Sequence, residues 1–524
     1  MRLRAVLPIS LIAAVPLMAA TPKKPNIILV VADDLGWGDL ACYPKGEAWG
    51  DEAKTTTPNL DKLAATGVMC TQGYATGMVC APSRAGLLTG KNQQRFGYYG
   101  FADTVPPFPA DLKLLPAALK DAGYRTGMIG KWHLSFDESS RPLDRGFDRF
   151  FGFLGGQHDY YQPTVGEVMH GVGRGRDAHI FDQEEPVKEV KFLTDEFTDR
   201  AIDFMEQAGD TPFFLYLPYN APHPPMQAPW EYLQKYAAPD GKFTPRDVAK
   251  ASIESLDSNI GRIVDWLEEK GLRDDTLIVF TSDNGGSDGG PGRVLQHNGG
   301  LKGRKGTWYE GGTRVPFILN WPEGLPRGEV YKKPVSQLDL YPTFLAAAGD
   351  AGTEESAQLD GVNLLPYLDG TDPNAPRRQF YWCVDNDTAW AVRDGDWKLV
   401  LEDSDPDTLG GKFRGDAPRE YVLQLYNIEA DPLETRNLAD ENPEKVAELQ
   451  KLMAAFRAQT KPSIATDEIM AQAKTRLAER EKNTPELNNA NSPSGSPGHW
   501  KGGDKAEKPS KKAKPKKEKA PPEE

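Results

Sequence analysis

Two apolar runs in this chain each end in a pair of oxygen-bearing side chains. Asn26-Ile27-Ile28-Leu29-Val30-Val31-Ala32 stops at Asp33-Asp34, and Thr276-Leu277-Ile278-Val279-Phe280-Thr281-Ser282 stops at Asp283-Asn284. Continuous apolar runs of this length read as strands of a buried parallel sheet. In open α/β sheets ligands collect beyond the carboxyl ends of the strands, so both pairs can share one crevice. Asp33, Asp34, Asp283 and Asn284 would then offer three carboxylates and an amide oxygen. That set suits Ca2+, and less readily Mg2+; it disfavours zinc. Asp33-Asp34 alone would read equally well as a solvated turn after a strand. The second pair argues against that reading.

Further chemistry begins at Cys80-Ala81-Pro82-Ser83-Arg84, continuing Ala85-Gly86-Leu87-Leu88-Thr89-Gly90. Pro82 is favoured early in a helix, and Ser83 to Leu88 read as the first turns of a buried helix with Cys80 at its mouth. Free backbone N–H groups and the helix dipole at such a mouth favour an anion, and Arg84, one turn in, can reach back to it. In isolation Cys80 would be a buried thiol and Arg84 a structural arginine. Three more segments repeat the sequence of apolar run, strand end and functional side chain. Thr126-Gly127-Met128-Ile129-Gly130 leads into Lys131-Trp132-His133-Leu134, and Phe213-Phe214-Leu215-Tyr216-Leu217-Pro218 leads into Tyr219-Asn220-Ala221-Pro222-His223-Pro224-Pro225. The third is Lys302-Gly303-Arg304-Lys305-Gly306-Thr307-Trp308-Tyr309-Glu310-Gly311-Gly312. The chain has only seven histidines. A lone histidine is more often structural than catalytic, but His133 and His223 both follow an apolar strand.

Together these segments resemble the type I, formylglycine-dependent sulfatases of the alkaline phosphatase superfamily, whose signature runs C-x-P-S-R and then through a helix ending in T-G. The resemblance implies that a sulfatase-maturing enzyme oxidises Cys80 to Cα-formylglycine, whose hydrated gem-diol supplies a hydroxyl nucleophile. One of its oxygens would complete the metal set of Asp33, Asp34, Asp283, Asn284 and residue 80. The family carries a lysine and a histidine at the G-K-W-H-L position, here Lys131 and His133, and another histidine at His223. In the register of its K-G-x-x-Y-E-G-G segment, Lys305 rather than Lys302 is the functional lysine. Resemblance and chemistry jointly imply attack on sulfur by residue 80, giving a covalent sulfate ester. Lys131, Lys305 and His223 would bind the sulfate oxygens. His223 would protonate the leaving alcohol, with Lys305 as partner or alternative, while His133 would deprotonate the second hydroxyl to expel sulfate. Arg84 would orient the gem-diol. Thr57-Pro58-Asn59-Leu60-Asp61, Gly146-Phe147-Asp148, Ser336-Gln337-Leu338-Asp339 and Leu425-Tyr426-Asn427 also look like landmarks of the family, so the resemblance runs from about residue 25 to about residue 460.

Two other classes remain in view. One is a phosphodiesterase or phosphonate hydrolase of the same superfamily. The other is a non-catalytic polysaccharide-binding homologue, in which a broken motif would be expected, and none is broken. The substrate that the resemblance implies is a sulfated carbohydrate, as for secreted bacterial members, with Gly155-Gly156-Gln157-His158-Asp159-Tyr160-Tyr161 as an equally structural or sugar-lining segment.

These side chains need a scaffold, and the 524 residues, 39% of them hydrophobic, are enough for a large core that splits beyond one domain. Residues 24–375 alternate apolar strands with helical stretches at Leu114 to Gly123, Thr194 to Gly209 and Ala249 to Gly271. This predicts an α/β fold, a large mainly parallel sheet sandwiched by helices. Leu154 to Glu185 and Ser287 to Gly300 read as long loops near the site. Residues 376–460 change pattern: short aromatic runs at 380–384, 388–393 and 397–401 flank polar turns, with Asp394-Gly395-Asp396 a hairpin signal. With a helix at Pro443 to Gln459 they resemble a smaller C-terminal antiparallel sheet plus helix subdomain.

Residues 1–20 read as a signal peptide, Arg2 and Arg4 preceding a short apolar stretch, although Met18 is a poor fit at the cleavage site. The stretch is short for a spanning helix, so a secreted or periplasmic protein without a stable transmembrane anchor is expected. Residues 485–524 are rich in Lys and Pro and read as a disordered tail. With Cys80 modified, Cys42, Cys70 and Cys383 allow at most one disulfide. A net charge of −14 argues against a nucleic-acid partner. Anion recognition must therefore be local.

Overall fold

The structure, a computed structural model, describes residues 24–43, 55–163, 179–288, 295–350, 358–376, 379–384, 389–403, 421–472 and 475. The expected signal peptide and lysine-rich tail lie outside them, as do parts of the two long loops. A ten-stranded sheet runs, edge to edge, through Glu329–Tyr331, Val68–Cys70, Phe317–Asn320, Thr276–Ser282, Asn26–Ala32, Phe213–Pro218, Arg125–Lys131, Arg149–Phe153, Phe181–Asp182 and Glu185–Pro186. The five strands from Thr276–Ser282 to Arg149–Phe153 are mutually parallel, and the antiparallel pairings lie toward the edges.

The apolar runs are continuous because both faces of the sheet are covered. Ile27, Leu29 and Val31 face a core shared with the helices Cys80–Thr89, Leu115–Asp121 and Leu340–Ala347. Ile28, Val30 and Ala32 face the opposite core, made with the helices Pro58–Ala65, Leu193–Ala208 and Pro245–Glu269. The last of these begins about a turn before the apolar periodicity does. The Thr244 hydroxyl accepts from Asp247 N, Asp247 answers to Thr244 N at 2.7 Å, and Pro245 takes the first helical position.

Beyond residue 375, Gln379–Cys383, Trp390–Asp394, Trp397–Asp403 and Tyr421–Asn427 form a four-stranded antiparallel sheet. One face, with Val392, Leu399 and Leu425, packs on the helix Pro443–Arg457 through Leu449, Met453 and Phe456. The other face, with Phe380, Trp382, Val400 and Tyr426, covers Tyr74, Met78, Trp308 and Tyr309. The fourth strand was not apparent from the sequence. Its two faces meet different neighbours, so no single apolar run marks it. The long loop from Leu154 also contains two short strands at its end, Phe181–Asp182 and Glu185–Pro186. None of the four cysteines is paired in a disulfide, and no described helix is long and apolar enough to cross a membrane.

Candidate active site

The parallel register places the ends of Asn26–Ala32 and Thr276–Ser282 side by side, Ala32 opposite Ser282. Asp33, Asp34, Asp283 and Asn284 consequently emerge together, each at most 1% exposed. The turn is fixed by Leu35 N donating to the Ser282 hydroxyl and by Asp34 N donating to Asp283 Oδ1. Asp34 takes a positive φ of 67°, which aspartate tolerates better than most residues. The helix Cys80–Thr89 begins at Cys80 itself, and Ser83 ties its start by accepting from Gly77 N and donating to Gly77 O and Val79 O. Ligand atoms of Asp33, Cys80 and Asp283 lie within 4.8 Å of one another, as do those of Asp33, Asp34 and His223.

Cationic side chains close around this group. Lys131 Nζ donates to Asp33 Oδ2 at 2.5 Å, and Lys305 Nζ lies 2.6 Å from Asp34 Oδ1. Arg84 does not simply reach back over the helix mouth. Its Nε and Nη2 grip Asp283 Oδ2, and its Nη1 donates to the Lys131 carbonyl. His223 Nδ1 lies 2.6 Å from Pro224 O, an arrangement in which Nδ1 carries a proton and Nε2 faces Asp34 Oδ2 at 3.7 Å. His133, with φ 53°, is buried. Its imidazole packs directly against Gly156, where a Cβ would lie 2.7 Å from His133 Nε2 and displace the ring.

Charge and burial set the protonation states. Burial, then Asp283 and Asp34, pushes the Asp33 carboxyl up to about 7 against the pull of Lys131. Burial would raise Asp34 too, but Lys305 and His223 outweigh it and hold that carboxyl at about 2. Burial followed by Lys305 lowers His223 to about 3, and burial followed by Lys131 holds His133 well below its ordinary value. Lys305 stays firmly protonated despite burial because Asp34 faces it. Burial raises the Cys80 thiol, so the unmodified side chain is a poor nucleophile.

The residues fit a hard divalent cation. Asp33 Oδ1 and Asn284 Oδ1 are buried oxygens without a hydrogen-bond partner, and such atoms are costly unless something satisfies them. Three crowded carboxylates and an amide oxygen are the donor chemistry of Ca2+ or Mg2+.

A family model described as Sulfatase matches residues 25–350, and one described as N-sulphoglucosamine sulphohydrolase, C-terminal, matches residues 304–460. The chain belongs to the sulfatase family. It is 32% identical over 520 residues to the uncharacterized sulfatase YdeN of Escherichia coli, covering 86% of this chain and 88% of that protein. Against human N-acetylgalactosamine-6-sulfatase it is 34% identical, with 67% of each chain covered. Among solved structures, Ps i-CgsB in complex with k-i-k-neocarrahexaose superposes with a TM-score of 0.72 at 31% identity, covering 88% of this chain and 99% of that one. The sulfatase is thus a sulfuric ester hydrolase.

Other parts of this sulfatase support the site rather than enter it, as the sequence allowed for residues 155–161 and for Lys302. Tyr160 is not an open sugar-lining side chain. Its hydroxyl donates to Asn220 O and His223 O, and its ring stacks on Phe192, so it anchors the loop that carries His223. Lys302 points away from the site, its ammonium 4.3 Å from the Tyr309 ring and 2.7 Å from the Tyr426 hydroxyl. A buried ionic cluster of Glu310, Lys398 and Glu434 was missed altogether. Its signal was Lys398 and Glu402, four residues apart on one face of a largely apolar strand, which reads as a solvated face unless another surface covers it.

Proposed function

We propose that this sulfatase hydrolyses sulfate esters of carbohydrates at the cluster around residue 80. The observation that carries the reading is the meeting of the Cys80 side chain with Asp33 and Asp283 inside 4.8 Å, with Lys131 and Lys305 held against the same carboxylates. Asp33, Asp34, Asp283 and Asn284 would hold Ca2+, and formylglycine made from Cys80 by a maturing enzyme would stand beside it. When present, the cation supplies Lewis-acid polarisation and the aldehyde hydrate supplies the nucleophile and transient covalent carrier of the sulfo group.

The remaining roles belong to the chain's own side chains. A divalent cation added to the balanced set of three carboxylates, Arg84, Lys131 and Lys305 leaves the pocket net positive, which favours an anionic ester. Lys131, Lys305 and His223 bind the sulfate oxygens. Arg84 fixes Asp283 and, through the Lys131 carbonyl, the strand that ends in Lys131. His133, neutral by burial, would accept a proton from the second hydroxyl of a hydrated formylglycine at residue 80. Neutral His223 needs a proton before it can serve the leaving alcohol. An anionic ester beside it raises its proton affinity, and Lys305, which faces the same Asp34 carboxylate, is its partner or the alternative acid.

The carbohydrate assignment is supported by the relatives, an N-acetylgalactosamine-6-sulfatase and a structure holding neocarrahexaose. We place the protein outside the cytoplasm, in keeping with the basic and apolar residues 1–20. The test is sulfate release from a panel of sulfated poly- and oligosaccharides, using protein shown by peptide mass to carry formylglycine at residue 80. Phosphate diesters are assayed alongside. Release from a sulfated sugar supports the reading, whereas turnover of diesters alone would replace it with the phosphoester one.

A further inference from the structure

The Lys305 segment is gripped from a direction that the chemistry does not require. On the side of the catalytic sheet, Lys305 N donates to Gly286 O and Gly306 N donates to Met78 O. Gly285 N donates to Gly312 O, and a Cβ on Gly285 would lie 1.9 Å from Gly311 O, so these backbones touch. The other side of the segment is held by side chains of the C-terminal sheet and of the turn that follows it. Lys302 Nζ donates to the Tyr426 hydroxyl at 2.7 Å and to Gln424 Oε1 at 3.1 Å, and Gln424 Nε2 donates to the Tyr309 hydroxyl. Trp308 N donates to Glu402 Oε2, and Glu310 N donates to Glu434 Oε2 at 2.7 Å.

The centre of this grip is ionic and dry. Lys398 Nζ lies 2.8 Å from Glu310 Oε1 and 3.2 Å from Glu434 Oε1, with all three side chains at most 1% exposed. The Tyr74 hydroxyl donates to the remaining oxygen, Glu310 Oε2, at 2.6 Å, and Arg393 donates in turn to that hydroxyl. Arg314 also lies 3.5 Å from Glu310 Oε2, but Lys398 is the cation between Glu310 Oε1 and Glu434 Oε1. Without it these two oxygens would face each other unshielded, and Glu310, five residues from Lys305, would shift toward Arg314. An apolar surface of the same area would have been sufficient for stability alone. The ionic arrangement instead fixes one position of the segment.

We propose that Lys398 is a positioning residue for catalysis, holding Glu310 and with it the Lys305 segment so that the Lys305 ammonium stands where a sulfate group binds. This makes the C-terminal sheet part of the active-site scaffold. The inference rests on the reading of Lys305 as a sulfate-binding group. Lys398 itself touches no reacting atom.

A double-mutant cycle tests it. The affinity for inorganic sulfate, by calorimetry, and kcat/KM for 4-nitrophenyl sulfate are measured for the matured wild type, Lys398→Met, Lys305→Ala and the double variant. Lys398→Met is expected to weaken sulfate binding and lower kcat/KM by about 10–100-fold, the scale of a misplaced binding group. In the Lys305→Ala background it is expected to change either quantity by less than about twofold, because groups that act through one another are not additive. An equal loss in both backgrounds, or no loss in the wild type, overturns the proposal while leaving the role of Lys305 intact. No effect of Lys305→Ala alone overturns that role, and the proposal with it. Should Lys398→Met fail to fold, Lys398→Arg, which keeps the charge but replaces the compact ammonium between Glu310 and Glu434 with a wider fork, decides the matter. The same dependence on Lys305 is expected at about two- to fivefold amplitude, and a loss independent of Lys305, or none, overturns the proposal.

Discussion

Arg84 donates to a single oxygen of Asp283 from both Nε and Nη2, at 3.0 and 2.7 Å, with neither side chain more than 1% exposed. Its third arm donates to the Lys131 carbonyl at 2.9 Å. One guanidinium thus joins the Cys80 helix to the ends of two different strands. Arg84→Ala would leave Asp283 buried without this partner, which is expected to cost about 3–5 kcal/mol in thermal or denaturant unfolding. Arg84→Lys keeps the charge but not the fork. It should recover much of the stability and little of the activity, and full activity in Arg84→Lys would show that the geometry of the fork is unimportant.

Cys80→Ala separates the chemistry from the fold. The side chain is buried at the first position of its helix, but the start of that helix is tied by Ser83 rather than by Cys80. The expected result is sulfate release at background level with a melting curve close to that of the wild type. Appreciable turnover by the alanine variant would remove residue 80 from the mechanism.

Cation binding is expected to be visible without any substrate. Titrating Ca2+ into metal-stripped protein should raise the melting temperature, since a ligand present at about 100 times its Kd adds about 2.7 kcal/mol. Asp33→Asn and Asn284→Ala each remove or weaken one of the oxygens that the protein itself leaves unsatisfied. Both variants should blunt the response. Mg2+ should act more weakly, because it demands a stricter octahedron than these crowded carboxylates provide. A melting temperature indifferent to Ca2+ in the wild type would exclude the site.

The sequence disclosed the site better than it disclosed what supports it. Asp33 and Asp283 could be placed because each follows an unbroken seven-residue apolar strand whose ends the structure reproduces. The pairings of Lys131 with Asp33 and of Lys305 with Asp34 were not legible. The first depends on Phe213–Pro218 lying between Asn26–Ala32 and Arg125–Lys131, and the second on the Lys305 loop folding back on Gly285 and Gly286, neither of which local periodicity encodes. Lys398 was missed, and the role of Tyr160 was left open, for the same reason. A polar group in a half-apolar segment looks solvated until a distant surface covers it, and the residues covering Lys398, Glu310 and Tyr74, come from far earlier in the chain.

Glu402 should make the contact between the two sheets sensitive to pH. Its Oε2 accepts from Trp308 N, and burial, reinforced by Glu434, pushes its carboxyl up from the usual 4.5 to about 7. Between those values the folded protein holds a proton that the unfolded chain has released. The resulting stabilisation is complete below pH about 4.5 and is lost as pH rises through about 7, an effect on the order of 3 kcal/mol. Glu402→Gln keeps an oxygen for Trp308 N but cannot ionise, so it should gain on the wild type in melting temperature from pH 5 to pH 8. Both proteins share every other titrating group, and their difference isolates Glu402. Parallel curves across that range would mean that Glu402 ionises normally and that the interface tolerates its charge.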